Sequence, residues 1–144
     1  MKKMICVVVV VLMIAAVAIA QKKTAITAKD LPALKGTYSG MISFGLGVAE
    51  ADTSPCTLEI LNDTVPVKAK LTIANIKDQV ASRLGIQGGQ KVGESDDGTL
   101  TSMGTIMFTG PEKNFFEVSS AGAKTLKVYY FFRGLRGEGT LKKK

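Results

Sequence analysis

The chain has 144 residues, with nineteen Lys or Arg, twelve Asp or Glu and no histidine. The lack of histidine excludes Ser-His-Asp and Cys-His nucleophiles and removes the commonest metal ligand. Two cysteines are too few for a Cys/His zinc cluster without histidine. The composition therefore predicts a protein that is not an enzyme and that uses no cofactor or metal.

The first twenty residues have the layout of a secretory signal peptide. Lys2 and Lys3 precede an apolar run that begins at Met4 and ends in the small-residue sequence AIA at 18–20. A retained membrane anchor is the alternative, because the 17 apolar residues reach the lower limit for spanning a bilayer. We expect cleavage before Gln21, no transmembrane span afterwards, and a periplasmic or secreted bacterial protein.

The excess of positive charge lies at the two ends of the predicted mature chain. Residues 24–141 carry twelve basic and twelve acidic side chains, so the excess comes from residues 22–23 and from Lys142, Lys143 and Lys144. A neutral body without a continuous basic stripe, in an exported protein, argues against nucleic acid as a partner. We expect the C-terminal lysines to form a solvated tail that contacts anionic surfaces weakly.

Alternating apolar and polar residues predict strands over most of the chain. After an exposed lead-in over 21–35 with one helical turn, residues 36–48 alternate with the period of a half-buried strand, and their glycines suggest bending or a bulge. Residues 49–55 are typical of a turn, and residues 56–73 predict a hairpin with a polar turn near 62–64. Cys56 falls on the apolar face of that hairpin, which favours a buried thiol.

The middle of the chain interrupts this alternation. Ile76, Val80 and Leu84 recur every four residues and Gly85 follows, which predicts a short helix near 75–85. The next segment, 87–98, is polar and rich in Gly and Asp, so we expect a loop there that could serve in binding.

Further strands are predicted over 98–110, 115–119 and 125–133, and a last one over 137–143. About 6–8 short strands and one short helix predict an all-β fold, an antiparallel up-and-down barrel or sandwich. Residues 36–144 then form a single domain with a basic C-terminal tail.

Two features resemble the lipocalin-like (calycin) barrels. Gly36-x-Tyr38 at the start of the first long strand is similar to the Gly-x-Trp of that family, with Tyr in place of Trp. Arg133, late in the chain, resembles the family's arginine that packs on this aromatic ring and closes the barrel. The resemblance implies a small barrel that carries an apolar ligand, in a cavity lined by Tyr38, Phe44 and Phe108.

Acidic residues offer little catalytic chemistry. They fall in two predicted loops, 49–54 and 94–97, and an enzymatic role requires two carboxylates from these loops inside one cleft.

The candidate binding residues are Tyr129, Phe131 and Arg133, together with Tyr38. The first three share the outward side of a strand whose other side is apolar, and exposed aromatic residues invite a partner. The alternative is that the lead-in or residues 75–86 cover them.

Three functions remain open on the sequence. The first is an exported, non-enzymatic barrel that binds an unknown ligand, a glycan or an envelope protein. The second is a lipocalin-like carrier of a small apolar ligand. The third is a periplasmic enzyme inhibitor, such as a lysozyme inhibitor.

Overall fold

A computed structural model describes residues 24–45, 52–110 and 114–144; the predicted signal peptide lies outside them. A 3-10 turn, Ala28–Asp30, leads into a one-turn helix, α1 (Leu31–Leu34), and a second helix, α2, spans Asp78–Leu84. The strands are β1 (Gly36–Gly45), β2 (Asp52–Ile60), β3 (Val67–Ile73), β4 (Val92–Leu100), β5 (Ile106–Thr109), β6 (Phe115–Gly122), β7 (Thr125–Phe132) and β8 (Leu135–Lys143). No helix in the described part of the chain is long and apolar enough to cross a membrane.

The eight strands form one closed antiparallel barrel. Each strand pairs with the next along the chain, and β8 pairs with β1. The predicted all-β fold and the short helix near 75–85 are confirmed, and of the two predicted architectures the barrel is the one found. Closure means that each described strand pairs with a neighbour on both sides, so none of them is an edge strand.

The core follows the strand alternation. Its buried apolar side chains run from Ile26 to Leu141, so a chain that begins at Gln21 keeps every described core contact. We therefore expect residues 21–144 to fold by themselves.

Inward-facing glycines make room for large aromatic side chains in this core. A Cβ added at Gly98 would lie 2.5 Å from the Phe108 ring, and one at Gly137 would lie 2.9 Å from Cε1 of Phe44. Small residues therefore stand beside large ones, as a narrow barrel requires. The sequence suggested only that the glycines bend the strands.

The lead-in closes one end of the barrel, called here the lead-in end. This end consists of the lead-in, the β2–β3, β4–β5 and β6–β7 turns and the end of β8. Most of the lead-in side chains are exposed, as expected, but Ile26 and Leu31 are buried. The Ile26 backbone N–H donates to the Gly104 carbonyl at 2.8 Å, and the Tyr38 hydroxyl donates to the Leu34 carbonyl at 2.8 Å. The prediction of an exposed lead-in was thus wrong at Ile26 and Leu31.

Helix α2 covers the opposite end of the barrel. Its apolar side is buried together with Ile76, and Gly85 ends the helix in the left-handed conformation, with φ 72°. A Cβ added at Gly85 would lie 3.2 Å from a guanidinium nitrogen of Arg133, in the β7–β8 turn. A cation at a helix C-terminus is favourable, because the unpaired carbonyls there carry partial negative charge.

Several element boundaries differ from the sequence prediction, and the differences at β2, β4 and β5 are the largest. Residues 92–98, predicted as a loop, form most of β4 and pair with β3. Residues 98–110, predicted as one strand, contain a turn, in which the Thr101 N–H donates to the Thr105 carbonyl at 2.9 Å. The turn predicted over 49–55 is described only from residue 52, and residues 52–55 begin β2. In each case the pairing of neighbouring strands outweighs local composition. Residues 46–51, which include the end of the first predicted strand, lie outside the described residues.

A candidate binding site on the outer wall

An aromatic cluster lies on the outside of the barrel where β6 and β7 meet. The Phe115 and Phe131 rings stack with centroids 5.3 Å apart, and the Phe115 and Tyr129 centroids are 6.1 Å apart. All three side chains are half-buried. The sequence left open that the lead-in or residues 75–86 cover these aromatic side chains. The lead-in and α2 lie instead at the two ends of the barrel. The cluster is thus covered in part by its own members and keeps an outward surface.

Two glutamates flank Tyr129 on the neighbouring strands. The strand register places Glu117 of β6 and Glu138 of β8 directly opposite Tyr129. The Thr105 hydroxyl donates to Oε1 of Glu117 at 2.6 Å, and Lys127 Nζ lies 3.1 Å from Oε2 of Glu138. Each carboxylate is therefore oriented by a neighbour.

These groups surround a shallow cavity of about 220 Å³, called here the Tyr129 groove. Its lining consists of Met103, Thr105, Glu117, Ser119, Lys127, Tyr129 and Glu138. It is smaller than the roughly 300–1,000 Å³ typical of drug-sized ligands. The groove therefore fits one ring or one side chain. Tyr129 offers that ligand an apolar surface, and the carboxylates and the Lys127 ammonium offer it charged hydrogen-bonding groups.

The structure brings together two of the four candidate binding residues. Tyr129 and Phe131 share the outer wall. Tyr38 is buried inside the barrel at the lead-in end, and Arg133 lies in the β7–β8 turn with its guanidinium 5.0 Å from the Phe132 ring centroid. Arg133 therefore does not close the barrel on Tyr38, as the lipocalin resemblance implied.

Lys143 takes the position expected for that arginine. Its ammonium lies 5.7 Å from the Tyr38 ring centroid and donates to the Ala33 carbonyl at 2.7 Å. Lys142 and Lys143 belong to β8, in agreement with the strand predicted over 137–143, and the Lys142 and Lys144 side chains are exposed as expected. The Lys144 N–H donates to the Thr37 carbonyl at 2.9 Å, so the backbone of these lysines is held by the barrel and does not form a separate tail.

Sequence reasoning missed Glu117, Lys127, Glu138 and Phe115 as members of the site. Alternation already placed Phe115 and Glu117 on one side of their strand. Their approach to Tyr129 depends on the register between β6, β7 and β8, which the sequence does not show.

The interior of the barrel is filled with side chains. Tyr38, Phe44 and Phe108, the residues expected to line a ligand cavity, are fully buried. Phe108 stacks on Phe116 at 4.4 Å between centroids, and Phe44 meets Tyr130 edge-on at 6.3 Å. These rings occupy the volume in which a lipocalin-like carrier would hold its ligand.

The acidic residues of the two predicted loops have separate surroundings. Asp52 pairs with Lys77 at 3.2 Å, whereas the Asp96 carboxylate lies beside Gly110. Burial, with a smaller contribution from the charge of Asp97, raises the pKa of Asp96. Glu50 lies outside the described residues. Among the residues that the structure describes, no cluster of three or more acidic or cysteine side chains could hold a metal ion.

Cys56 is buried inside the barrel with 2% of its surface exposed, as the alternation predicted. Loss of solvation raises the pKa of its thiol to about 12. Because the thiolate is the reactive form, this cysteine is poorly suited to redox or nucleophilic chemistry.

We expect Cys56 to resist thiol reagents in the folded protein. In residues 21–144 at pH 8, its reaction with a disulfide reagent should be at least roughly a thousandfold slower than in denaturant, because the thiolate fraction falls with the raised pKa. Absorbance of the released thiol measures the rate, with Cys56→Ser as the blank. Complete labelling within seconds under native conditions contradicts burial.

The fold and the groove together define the class of protein. It is a closed eight-stranded antiparallel barrel, compatible with a calycin-like architecture, with an aromatic and charged groove on its outer wall. Comparisons of the chain with protein-family models, with curated proteins and with solved structures find no match.

Proposed function

We propose that this protein is an exported, non-enzymatic barrel that binds a glycan on its outer wall, at the Tyr129 groove. The observation that carries the proposal is the placement of two oriented carboxylates on either side of a half-buried tyrosine ring. Export rests on the signal-peptide layout of residues 1–20.

A saccharide matches the chemistry of this groove. The Tyr129 ring offers a flat apolar surface for the C–H face of a sugar, as amphipathic aromatic residues do at interfaces. Carboxylate oxygens accept hydrogen bonds from hydroxyl groups, and the Lys127 ammonium donates them. The two glutamates are about 10 Å apart at their Cα atoms, since each lies one strand away from Tyr129. They therefore stand on opposite sides of one ring-sized ligand.

The groove favours binding over hydrolysis. Glu117 and Glu138 lie on an open wall, and the Glu138 side chain is 55% exposed. Glycosidases hold their two carboxyl groups in a cleft around the scissile bond. We therefore assign no catalytic residue, and the filled interior leads us to place the ligand outside the barrel.

Binding of residues 21–144 to a glycan array and to purified peptidoglycan tests the proposal. We expect Tyr129→Ala to weaken binding roughly tenfold or more, because it removes the ring surface. Glu117→Gln should also weaken it, whereas Glu59→Gln, a matched change on the outward side of β2, should not. Tyr129→Phe should retain most of the affinity.

Two outcomes contradict the glycan proposal. One is the absence of binding to any glycan in both assays. The other is binding that Tyr129→Ala and Glu117→Gln leave unchanged. An inhibitor of a cell-wall enzyme would instead form a stable complex with that enzyme and would show no affinity for the isolated glycan.

A further inference from the structure

Positive charge is concentrated at the lead-in end of the barrel. In the described residues this end carries six lysines, namely Lys29, Lys35, Lys124, Lys142, Lys143 and Lys144. Asp30 of the lead-in and Asp63 of the β2–β3 turn are the described carboxylates on the same segments. Five of the six lysines are exposed, and Lys143 is half-buried over Tyr38. This end therefore presents a net positive surface.

Large apolar side chains project from the turns at this same end. Leu61 and Val65 of the β2–β3 turn are 50% and 51% exposed, and Met103 of the β4–β5 turn is 76% exposed. The other large exposed apolar side chain in the described chain, Met41, lies on the wall. Lysines alone would be an ordinary solvated surface. Lysines combined with apolar turn residues are typical of proteins that bind at a membrane interface.

Two apolar crevices border the lead-in at this end. One, of about 310 Å³, lies between the lead-in and the β6–β7 turn and includes Leu34 and Ala123. The other, of about 230 Å³, is bordered by Lys124 and Lys143. Apolar surface next to ammonium groups suits an amphiphile with an anionic headgroup better than a soluble polyanion.

The apolar run of the sequence joins the barrel at this end as well. Thr24 lines the same crevice as Gly122 and Ala123. Four Cα steps connect it to Ala20, the last residue of the run, and they span at most about 14 Å. In a chain that keeps this run as a membrane anchor, the alternative to cleavage, the lead-in end is the part of the barrel held next to the lipid headgroups.

We propose that the lead-in end docks on an anionic phospholipid surface. The exposed lysines lie at the headgroups, while Leu61, Val65 and Met103 enter the interface. The Tyr129 groove on the side of the barrel stays accessible to solvent. Of the residues that line the Tyr129 groove, Met103 also belongs to this surface. The lysines, Leu61 and Val65 lie outside the groove, so a failure of the lysine variants and a failure of Tyr129→Ala are separate results.

Vesicle binding by residues 21–144 tests the docking surface. We expect co-sedimentation with vesicles of phosphatidylglycerol and phosphatidylcholine, little with phosphatidylcholine alone, and weaker binding as salt increases. Lys124→Gln with Lys142→Gln should weaken binding roughly twenty-five-fold, at about fivefold for each lysine near an anionic surface. The control is Arg83→Gln with Lys91→Gln, which removes the same charge near the α2 end and should change binding little.

A fluorescent label tests the orientation. An environment-sensitive dye on Met103→Cys should shift to the blue when the anionic vesicles are added, whereas the same dye on Gln87→Cys, near α2, should not. Circular dichroism confirms that the variants fold. Equal loss of binding in both double variants, a blue shift at both sites, or binding to dextran sulfate without binding to vesicles would each overturn the proposal.

Discussion

Gly139→Val is expected to destabilise the barrel by about 3 kcal/mol or more, or to prevent folding, since overpacking against rigid backbone is costly. Gly139 faces inward where β8 pairs with β1. A Cβ added there would lie 2.5 Å from the Met41 carbonyl oxygen and 3.1 Å from the Ile42 Cα. These are backbone atoms, so relief requires β1 and β8 to separate, and this pair closes the barrel.

Gly93→Val is the matched control for that change. Gly93 is also a strand glycine, but a Cβ added there meets no atom within 4 Å. Because valine suits an exposed strand position, we expect a change in the free energy of unfolding within about 1 kcal/mol. Urea unfolding of the two variants measures the difference. Equal stability of Gly139→Val and the wild type contradicts the described approach of β1 to β8.

Leu31→Ala should lower the free energy of unfolding by about 2–5 kcal/mol, the range for a buried leucine truncated to alanine. Leu31 belongs to a four-residue helix and is 1% exposed, so its side chain is part of the core. The truncation leaves a cavity beneath the lead-in.

Leu61→Ala makes the same chemical change at a half-exposed position. We expect it to alter stability by about 0.5 kcal/mol or less, as for most surface substitutions. Thermal and urea unfolding of both variants give the comparison. If Leu31→Ala is as stable as Leu61→Ala, the lead-in does not close the barrel.

Strand alternation made much of the architecture predictable. The inward positions of β3, from Val67 to Ile73, are all buried, and the four-residue spacing of Ile76, Val80 and Leu84 marked α2 correctly. These elements were predictable because their burial follows a simple period. The loop prediction over 87–98 was right for residues 87–91 and wrong for residues 92–98, because β4 is rich in Gly, Ser and Asp. Its conformation depends on pairing with β3, which is a contact between distant residues.

The resemblance to lipocalin-like barrels predicted the barrel architecture correctly, but it predicted the wrong cation over the Tyr38 ring. Gly36 and Tyr38 do open the first strand of a barrel, and a cation does lie over the Tyr38 ring. That cation belongs to Lys143, because β8 and not the β7–β8 turn reaches the lead-in end. A lysine ammonium can serve there, since any cation over the ring gains electrostatic attraction.

The stretch from Lys127 to Arg136 shows which structural features the sequence determines and which it does not. By itself it determined that Tyr130 lies inside, while Tyr129 and Phe131 face outward, because side chains alternate along a strand. Only the tertiary structure decided that Glu117 and Glu138 flank Tyr129 and that Arg133 turns away to the α2 end. The physical reason is register: alternation fixes the side of the wall that each residue occupies, and strand pairing fixes its neighbours.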